Sequence, residues 1–369
     1  MEIERKPEGK REEEGSNRLD HVIVGWIVLI YVGLMTFLVC PIVLMAIFYA
    51  TFPLVLLSVS FRKLILRVLA RVINLQFLTC VRFSGIRVMM SGDRLERLGD
   101  TRALMLPNHL GLFDHFIFMT AADSFGINAV GRWIFVIYNM WIYTPLGWLW
   151  GSYGNYFIDS VPPHKREETL RNLRQHLDRI YHHLDLRWVC LYPEGSRLFL
   201  IKKKNEEYER KKSLPPLTNC AYPRLGAALS AIKVLGPRAD DPKVANNGKG
   251  APLEYLVDVT LGYPRGEVLP LHEIFLKAWR SRGGGEPFSI HYEIFEMDAK
   301  WSEEEELRRF LFDRYQKKDR LLADYYTTGM FSKEAKEAPM PSDFVFFSFQ
   351  FVQIVLFAML TKLLISYVF

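Results

Sequence analysis

From His21 to Phe61, forty-one consecutive residues include no Asp, Glu, Lys or Arg. An upright helix crosses a hydrocarbon core of about 30 Å with about 20 residues, so this run is about twice the length one crossing needs. Pro41 lies at its midpoint. That predicts either a helical hairpin turning at Pro41 or one span followed by a segment in the membrane interface. The run follows a polar tail over residues 1–20 and ends without a small-residue cleavage pattern, so residues 21–61 read as a retained anchor and not a cleaved signal. A second apolar block, residues 344–369, closes the chain and is interrupted only by Lys362. Its uncharged stretch from Phe344 to Thr361 reaches the lower limit of a span, and the polar, Pro-containing residues 332–343 read as a linker before it.

Between the anchors the pattern shortens and alternates. Ala103–Leu106, Trp188–Tyr192, Tyr255–Gly262 and Phe288–Phe295 predict short strands, and Lys165–Leu184 and Glu303–Tyr326 predict amphipathic helices. Intermixed elements of both kinds predict one α/β domain over residues 99–331, a mixed sheet flanked by helices, with membrane helices at both ends of the chain. Arg238–Ala251 is expected to be a mobile loop, and Gly283–Gly285 to mark a turn.

Composition changes this picture in two respects. Half of the 369 residues are hydrophobic and 24% are charged, which excludes a disordered chain and a small disulfide-stapled one. The net charge of +6 suits either nucleic acid or an anionic membrane surface. The distribution decides for the membrane, with no nucleic-acid partner expected. Arg5, Lys6, Lys10, Arg11 and Arg18 precede the first apolar run; Arg62, Lys63, Arg67, Arg71, Arg82 and Arg87 follow it, with no acid between Arg62 and Ser91. Basic flanks on both sides place both ends in the cytosol under the hairpin reading, and residues 62–98 read as a membrane-surface segment, with an ordinary core helix as the alternative. Cys40, Cys80, Cys190 and Cys220 form no C-x-x-C pair, and no metal-binding cluster is expected. The chain has no N-x-S/T sequon.

The candidate chemistry starts at Asn108-His109-Leu110-Gly111-Leu112-Phe113-Asp114. A neutral imidazole accepts a hydroxyl proton well when a carboxylate holds its opposite ring nitrogen. Five residues of regular helix turn about 500°, so His109 and Asp114 cannot share one face of a straight helix. His109 is therefore expected in the loop before a helix, with Asp114 reaching back from the first turn. A second constellation, Tyr192-Pro193-Glu194-Gly195-Ser196-Arg197, follows a predicted strand. Its turn offers a carboxylate, a backbone N–H beside a glycine, and a guanidinium able to grip phosphate as a fork. Trp133, Trp141, Trp148 and Trp150 crowd an apolar stretch that suits a membrane interface, an acyl-chain groove or a packed core. Lys202–Lys204 and Arg210–Lys212 read as a solvated face.

Taken in order, Asn108-His109 with Asp114, Gly154-Asn155-Tyr156-Phe157-Ile158, Tyr192 to Arg197, and Tyr222-Pro223-Arg224 resemble the four blocks of the glycerolipid acyltransferase family. Leu217-Thr218-Asn219, His291 to Phe295 and Thr328 to Phe331 look most like its lysophosphatidylglycerol acyltransferase branch. The resemblance implies an acyl-CoA-dependent lysophospholipid acyltransferase of the endoplasmic reticulum membrane, its catalytic domain facing the cytosol. It further implies His109 as base, Asp114 as its partner, and Glu194, Gly195, Arg197, Pro223 and Arg224 at the acceptor. Acyl-CoA and a lysophospholipid would be the substrates, with no resident cofactor. One departure stands out: the second block usually continues to an arginine, whereas Asp159 and Ser160 follow Ile158 here. That shifts phosphate recognition to Arg197, Arg224 or another cation. A lipid ester hydrolase and a catalytically silent lipid-binding protein of the same fold are the competing readings; the absence of G-x-S-x-G argues against a serine hydrolase.

Overall fold

The computed structural model describes residues 22–94, 98–124, 131–280 and 286–368. The basic N-terminal tail and the expected turn at Gly283–Gly285 lie outside the described residues.

The first helix, α1 (Val22–Ala50), runs straight through Pro41. Proline has no N–H to donate, and the helix absorbs the missing bond with a π-turn at Met35–Val39 just before it. The chain reverses later, through the short helix α2 (Phe52–Leu57), and returns as α3 (Val59–Phe83), whose first turn is capped by the Ser58 hydroxyl accepting the Phe61 N–H at 3.2 Å. Tyr31 packs beside Phe83, and Thr36 lies beside Cys80 and Gln76, so α1 and α3 are antiparallel. The hairpin therefore turns at Thr51–Ser58 and not at Pro41.

The segment expected on the membrane surface over 62–98 is split. The inner face of α3, including Leu69, Ile73, Phe77 and Val81, is buried in the protein core. Residues 88–92 form β1 (Val88–Gly92), a strand of the main sheet, so the domain expected to start at residue 99 starts earlier. The strand was hidden because Val-Met-Met-Ser-Gly lacks both alternation and β-branched density.

Seven further strands complete the sheet: β2 (Ala103–Pro107), β3 (Trp133–Tyr138), β4 (Tyr156–Ile158), β5 (Trp188–Cys190), β6 (Tyr255–Gly262), β7 (Phe288–Glu296) and β8 (Lys336–Glu337). Their order is β4-β3-β5-β2-β6-β7-β1-β8. The first five of that order are mutually parallel; β7 runs against β6, β1 runs with β7, and β8 runs against β1. Buried parallel strands read as continuous apolar runs, which is why β3, Trp-Ile-Phe-Val-Ile-Tyr, merged into the aromatic block of the sequence. That block divides in space: Trp133 stacks on Trp188 in the core at 6.2 Å, Trp141 stacks on Phe37 of α1 at 5.9 Å, and Tyr143 and Trp148 are exposed.

Further helices flank the sheet or, at the end of the chain, pack on α1. In chain order they are α4 (Asp114–Asp123), α5 (Pro145–Ser152), α6 (Arg166–Ile180), α7 (Leu198–Lys212), α8 (Leu225–Leu235), α9 (Leu271–Arg280), α10 (Glu304–Thr328) and α11 (Asp343–Val368). The loop over Arg238–Ala251, expected to be mobile, is pinned: Pro237 bridges Ala245, and Lys249 pairs with Asp178 at 2.6 Å. At the end of the sheet where β2, β3 and β5 begin, Asp185 gathers Arg67 at 2.9 Å, Arg102 at 3.5 Å, Arg187 at 3.6 Å, and Arg132, which ties α3 to the sheet.

Three helices, α1, α3 and α11, are long and apolar enough to cross a membrane. A buried polar chain joins them. Tyr31 donates to Gln350 at 3.0 Å, Gln350 to Gln76 at 2.8 Å, and Gln76 to Thr36 at 3.0 Å. In an apolar surrounding such bonds have no water to compete with them, so they fix the register of the three helices.

Candidate active site

The parallel neighbours β2 and β5 are in register at Met105 and Cys190, and both end at the same edge of the sheet. The chain leaves β2 as Asn108-His109 and leaves β5 as Tyr192-Pro193-Glu194. Two motifs separated by 85 positions therefore meet at the carboxyl ends of adjacent strands, where open α/β sheets bind ligands.

Asn108 is fully buried and staples the end of β2 to β6: its amide donates to the Leu261 carbonyl at 3.1 Å, and its side-chain oxygen accepts the Leu261 N–H at 2.7 Å. His109 follows in the loop and Asp114 is the first residue of α4, as the spacing argument requires. The Asp114 carboxylate is buried and accepts the N–H groups of Leu110 at 2.7 Å and Gly111 at 3.0 Å. It also meets His109 Nδ1 at 2.8 Å. A carboxylate only accepts, so Nδ1 carries the proton, and in the neutral ring Nε2 is then the nitrogen with the lone pair. The imidazole stacks on Tyr192 at 4.4 Å between ring centres and keeps 24% of its side-chain surface open.

Glu194 joins the two motifs. Its Oε1 accepts the His109 N–H at 3.0 Å, while Oε2, buried as well, has no hydrogen-bond partner among the described residues. Burial pushes the carboxyl up to about 8, against the lowering pull of the His109 N–H, Lys318 and the Ala221 N–H. The neighbouring His115 is neutral in the core, its pKa pushed down by burial to about 4.

Gly195 has φ of +75°, and a Cβ there would lie 3.2 Å from the Arg224 side chain. Both facts favour glycine, and Arg224 therefore lies directly over the Pro-Glu-Gly turn. The Gly195 N–H donates to the Tyr192 carbonyl at 3.0 Å, so that amide is engaged in the turn. Arg224 anchors its own N–H on the Pro193 carbonyl at 2.7 Å and caps α8, with Pro223 buried before it. Arg197 caps α7, and its guanidinium lies 5.0 Å from the ring centre of exposed Phe199. Neither Arg197 nor Arg224 has an acidic partner among the described residues. The arginines around Asp185 are ion-paired, whereas among the described residues these two are not.

The second block sits on the outer edge of the sheet. Asn155 accepts the Phe135 N–H at 2.7 Å, and Tyr156–Ile158 pairs with β3. Asp159 is taken up by Asn139 at 3.1 Å. The exposed lysines of α7 form a solvated face.

Sequence reasoning missed the charges beneath the site. Lys318 of α10 is fully buried; its Nζ lies 2.7 Å from Asp258, 2.8 Å from the Val259 carbonyl and 3.3 Å from the Leu106 carbonyl. Arg314 pairs with the same Asp258 at 3.0 Å and also with Glu293. A signal existed: Arg314 and Lys318 fall in the i+3/i+4 row of Leu307, Leu311, Tyr315 and Leu322, so two cations share the buried face of the helix.

Residues 87–233 match the family described as Acyltransferase, and residues 284–351 that described as Acyltransferase C-terminus. A Caenorhabditis elegans protein provisionally named a 1-acyl-sn-glycerol-3-phosphate acyltransferase is 38% identical over 82% of this chain and 76% of its own. The human acyl-CoA:lysophosphatidylglycerol acyltransferase 1 is 28% identical over 69% of this chain and 70% of its own. The crystal structure of the 1-acyl-sn-glycerophosphate acyltransferase PlsC from Thermotoga maritima covers 81% of this chain and 97% of its own at a TM-score of 0.42 and 13% identity. The chain belongs to the glycerolipid acyltransferase family. It is an acyltransferase with a mixed α/β catalytic domain and apolar helices at both ends.

Proposed function

We propose that the protein transfers a fatty acyl group from acyl-CoA to the free hydroxyl of a lysophospholipid, with lysophosphatidylglycerol as the favoured acceptor. The observation that carries this reading is the His109–Asp114 contact at 2.8 Å, with the imidazole open on its other side. His109 Nε2 takes the hydroxyl proton as the oxygen attacks the thioester carbonyl. The C–S bond then breaks, and the proton on His109 passes to the departing CoA thiolate. Asp114 holds the ring and stabilises the imidazolium. Transfer is direct, and the reaction calls for no metal and no resident cofactor.

Glu194 and Gly195 border the acceptor glycerol, and Arg197 and Arg224 hold its phosphate, the two guanidiniums standing in for the arginine absent after Ile158. The acceptor preference rests on the similarity to the human enzyme named for lysophosphatidylglycerol. The basic flank of α3 and the apolar helices support a seat in the endoplasmic reticulum membrane with the catalytic domain in the cytosol. Purified protein in detergent, given labelled acyl-CoA and a panel of lysophospholipids, is expected to form diacyl product, most with lysophosphatidylglycerol. Product with another headgroup alone rejects the preference. Release of free fatty acid without diacyl product favours the hydrolase reading, and no turnover at all favours the silent one.

A further inference from the structure

The buried ammonium of Lys318 comes from a region far from both motifs, yet it ends directly behind them. The Val259 carbonyl accepts the N–H of Asn108 at 3.3 Å and Lys318 Nζ at 2.8 Å, so Lys318 and the residue preceding His109 share one acceptor. The Leu106 carbonyl, on the strand that presents His109, is held at 3.3 Å by the same ammonium. A lysine without exposed surface gives up its hydration, so three oxygens must replace it; these three lie on β2 and β6, the strands that end at the site. Lys318 also draws the buried Glu194 carboxyl downward electrostatically, and Glu194 Oε2 has no hydrogen-bond partner among the described residues.

We propose that Lys318 is a positioning residue for acyl transfer, fixing the end of the strand that presents His109 and supplying the buried positive charge behind Glu194. The proposal rests on the reading of His109 and Glu194 as the reacting site. It assigns a role to the C-terminal family region, residues 284–351, in a reaction whose four motif blocks all lie before residue 225. The charged and titratable groups around Glu194 are His109 and Asp114 from the loop and helix after β2, Cys220 before α8, and Tyr315 and Lys318 from α10. Those around Lys318 are Asp258 on β6, Tyr315 on its own helix, Cys220 before α8 and Glu194, with Arg314 on Asp258, Glu293 on Arg314, and His291 of β7 beside Asp258. Removing the Lys318 charge leaves Glu194 without its buried cation and raises its titration further; removing the Asp258 charge lowers it.

The test follows full-length Lys318→Met and Asp258→Asn in detergent, with kcat and KM for acyl transfer across pH and with melting temperature across pH. Lys318→Met is expected to lower kcat about tenfold or more with little change in acceptor KM. It is also expected to move the Glu194 inflection, identified as the one absent from Glu194→Gln, upward by about one pH unit. Asp258→Asn is expected to move it downward. An unshifted inflection in Lys318→Met reduces Lys318 to a structural strut and overturns the proposal, whatever happens to kcat. If Lys318→Met does not fold, Asp258→Asn decides, and an inflection that stays or rises overturns it. The melting profiles read the same titration without substrate, so failure of wild-type turnover counts against the acyl-transfer reading and leaves the Lys318 result standing on its own.

Discussion

Glu194 Oε1 accepts the backbone N–H of His109 at 3.0 Å across 85 positions of sequence. This bond locks the loop after β2 onto the turn after β5, so His109 and the Pro-Glu-Gly turn are held as one unit. Asp114 then fixes the ring from the other side, through a helix N-terminus whose backbone N–H groups it also satisfies.

Asp114→Asn tests the orientation of the ring. The amide keeps the shape but offers a donor to a nitrogen that must itself donate, so His109 adopts the wrong tautomer. The expected result is a fall in kcat of about 10²–10⁴-fold with acceptor KM little changed. Initial rates over a range of acceptor concentrations, with circular dichroism to confirm folding, measure it.

Glu194 makes stability fall with rising pH between about 4.5 and 8. Its carboxyl is raised to about 8 from an unfolded value near 4.5, chiefly by burial. Between those values the folded protein holds a proton that the unfolded chain has lost, so stability falls as pH rises through that window. Glu194→Gln removes this dependence. Melting temperatures from pH 5 to pH 9 are expected to decline less in the variant than in the wild type; parallel declines would count against a raised Glu194.

Asp185 acts in the opposite direction, at the far end of the sheet. Burial alone would raise it, but Arg132, Arg187, Arg102 and Arg67 together bring its carboxyl below the ordinary value. Its contribution is present above the unfolded pKa and is lost as pH falls through the lowered one. Asp185→Asn suits the left-handed backbone there, φ of 54°, so the loss is electrostatic. The variant is expected to be about 1 kcal/mol less stable at pH 7, the pairs being screened by solvent, and to converge with wild type in acid, as read by denaturant melts at both pH values.

Arg197 and Arg224 have no carboxylate partners among the described residues and flank the Pro-Glu-Gly turn. Each change to Ala is expected to raise acceptor KM about tenfold or more while acyl-CoA KM stays near wild type, and Lys is expected to restore only part of it. Equal effects on both substrates would place these arginines elsewhere in the reaction.

The sequence made some of this legible and concealed the rest for physical reasons. The motif blocks could be read because turn chemistry and spacing are local, and β6, β7, α6 and α10 were close to their predicted bounds because their periodicity is strong. Of the two readings of the first apolar run, a turn at Pro41 is the one the helix excludes, because a π-turn relieves the proline, which no local pattern announces. β1, β3, β4 and β8 were missed because short or continuously apolar strands carry no alternation; β8 falls inside the expected linker 332–343, so the sheet extends past residue 331. Lys318 looks like its exposed neighbour Lys317 in composition; only the buried row on α10 distinguishes them.

The most direct test of the account is acyl transfer by His109→Ala, measured as single-turnover formation of diacyl product from labelled acyl-CoA and lysophosphatidylglycerol, with melting temperature as the check on folding. The account predicts a folded protein whose rate falls about a thousandfold or more. A folded variant within about tenfold of the wild-type rate would contradict His109 as the base.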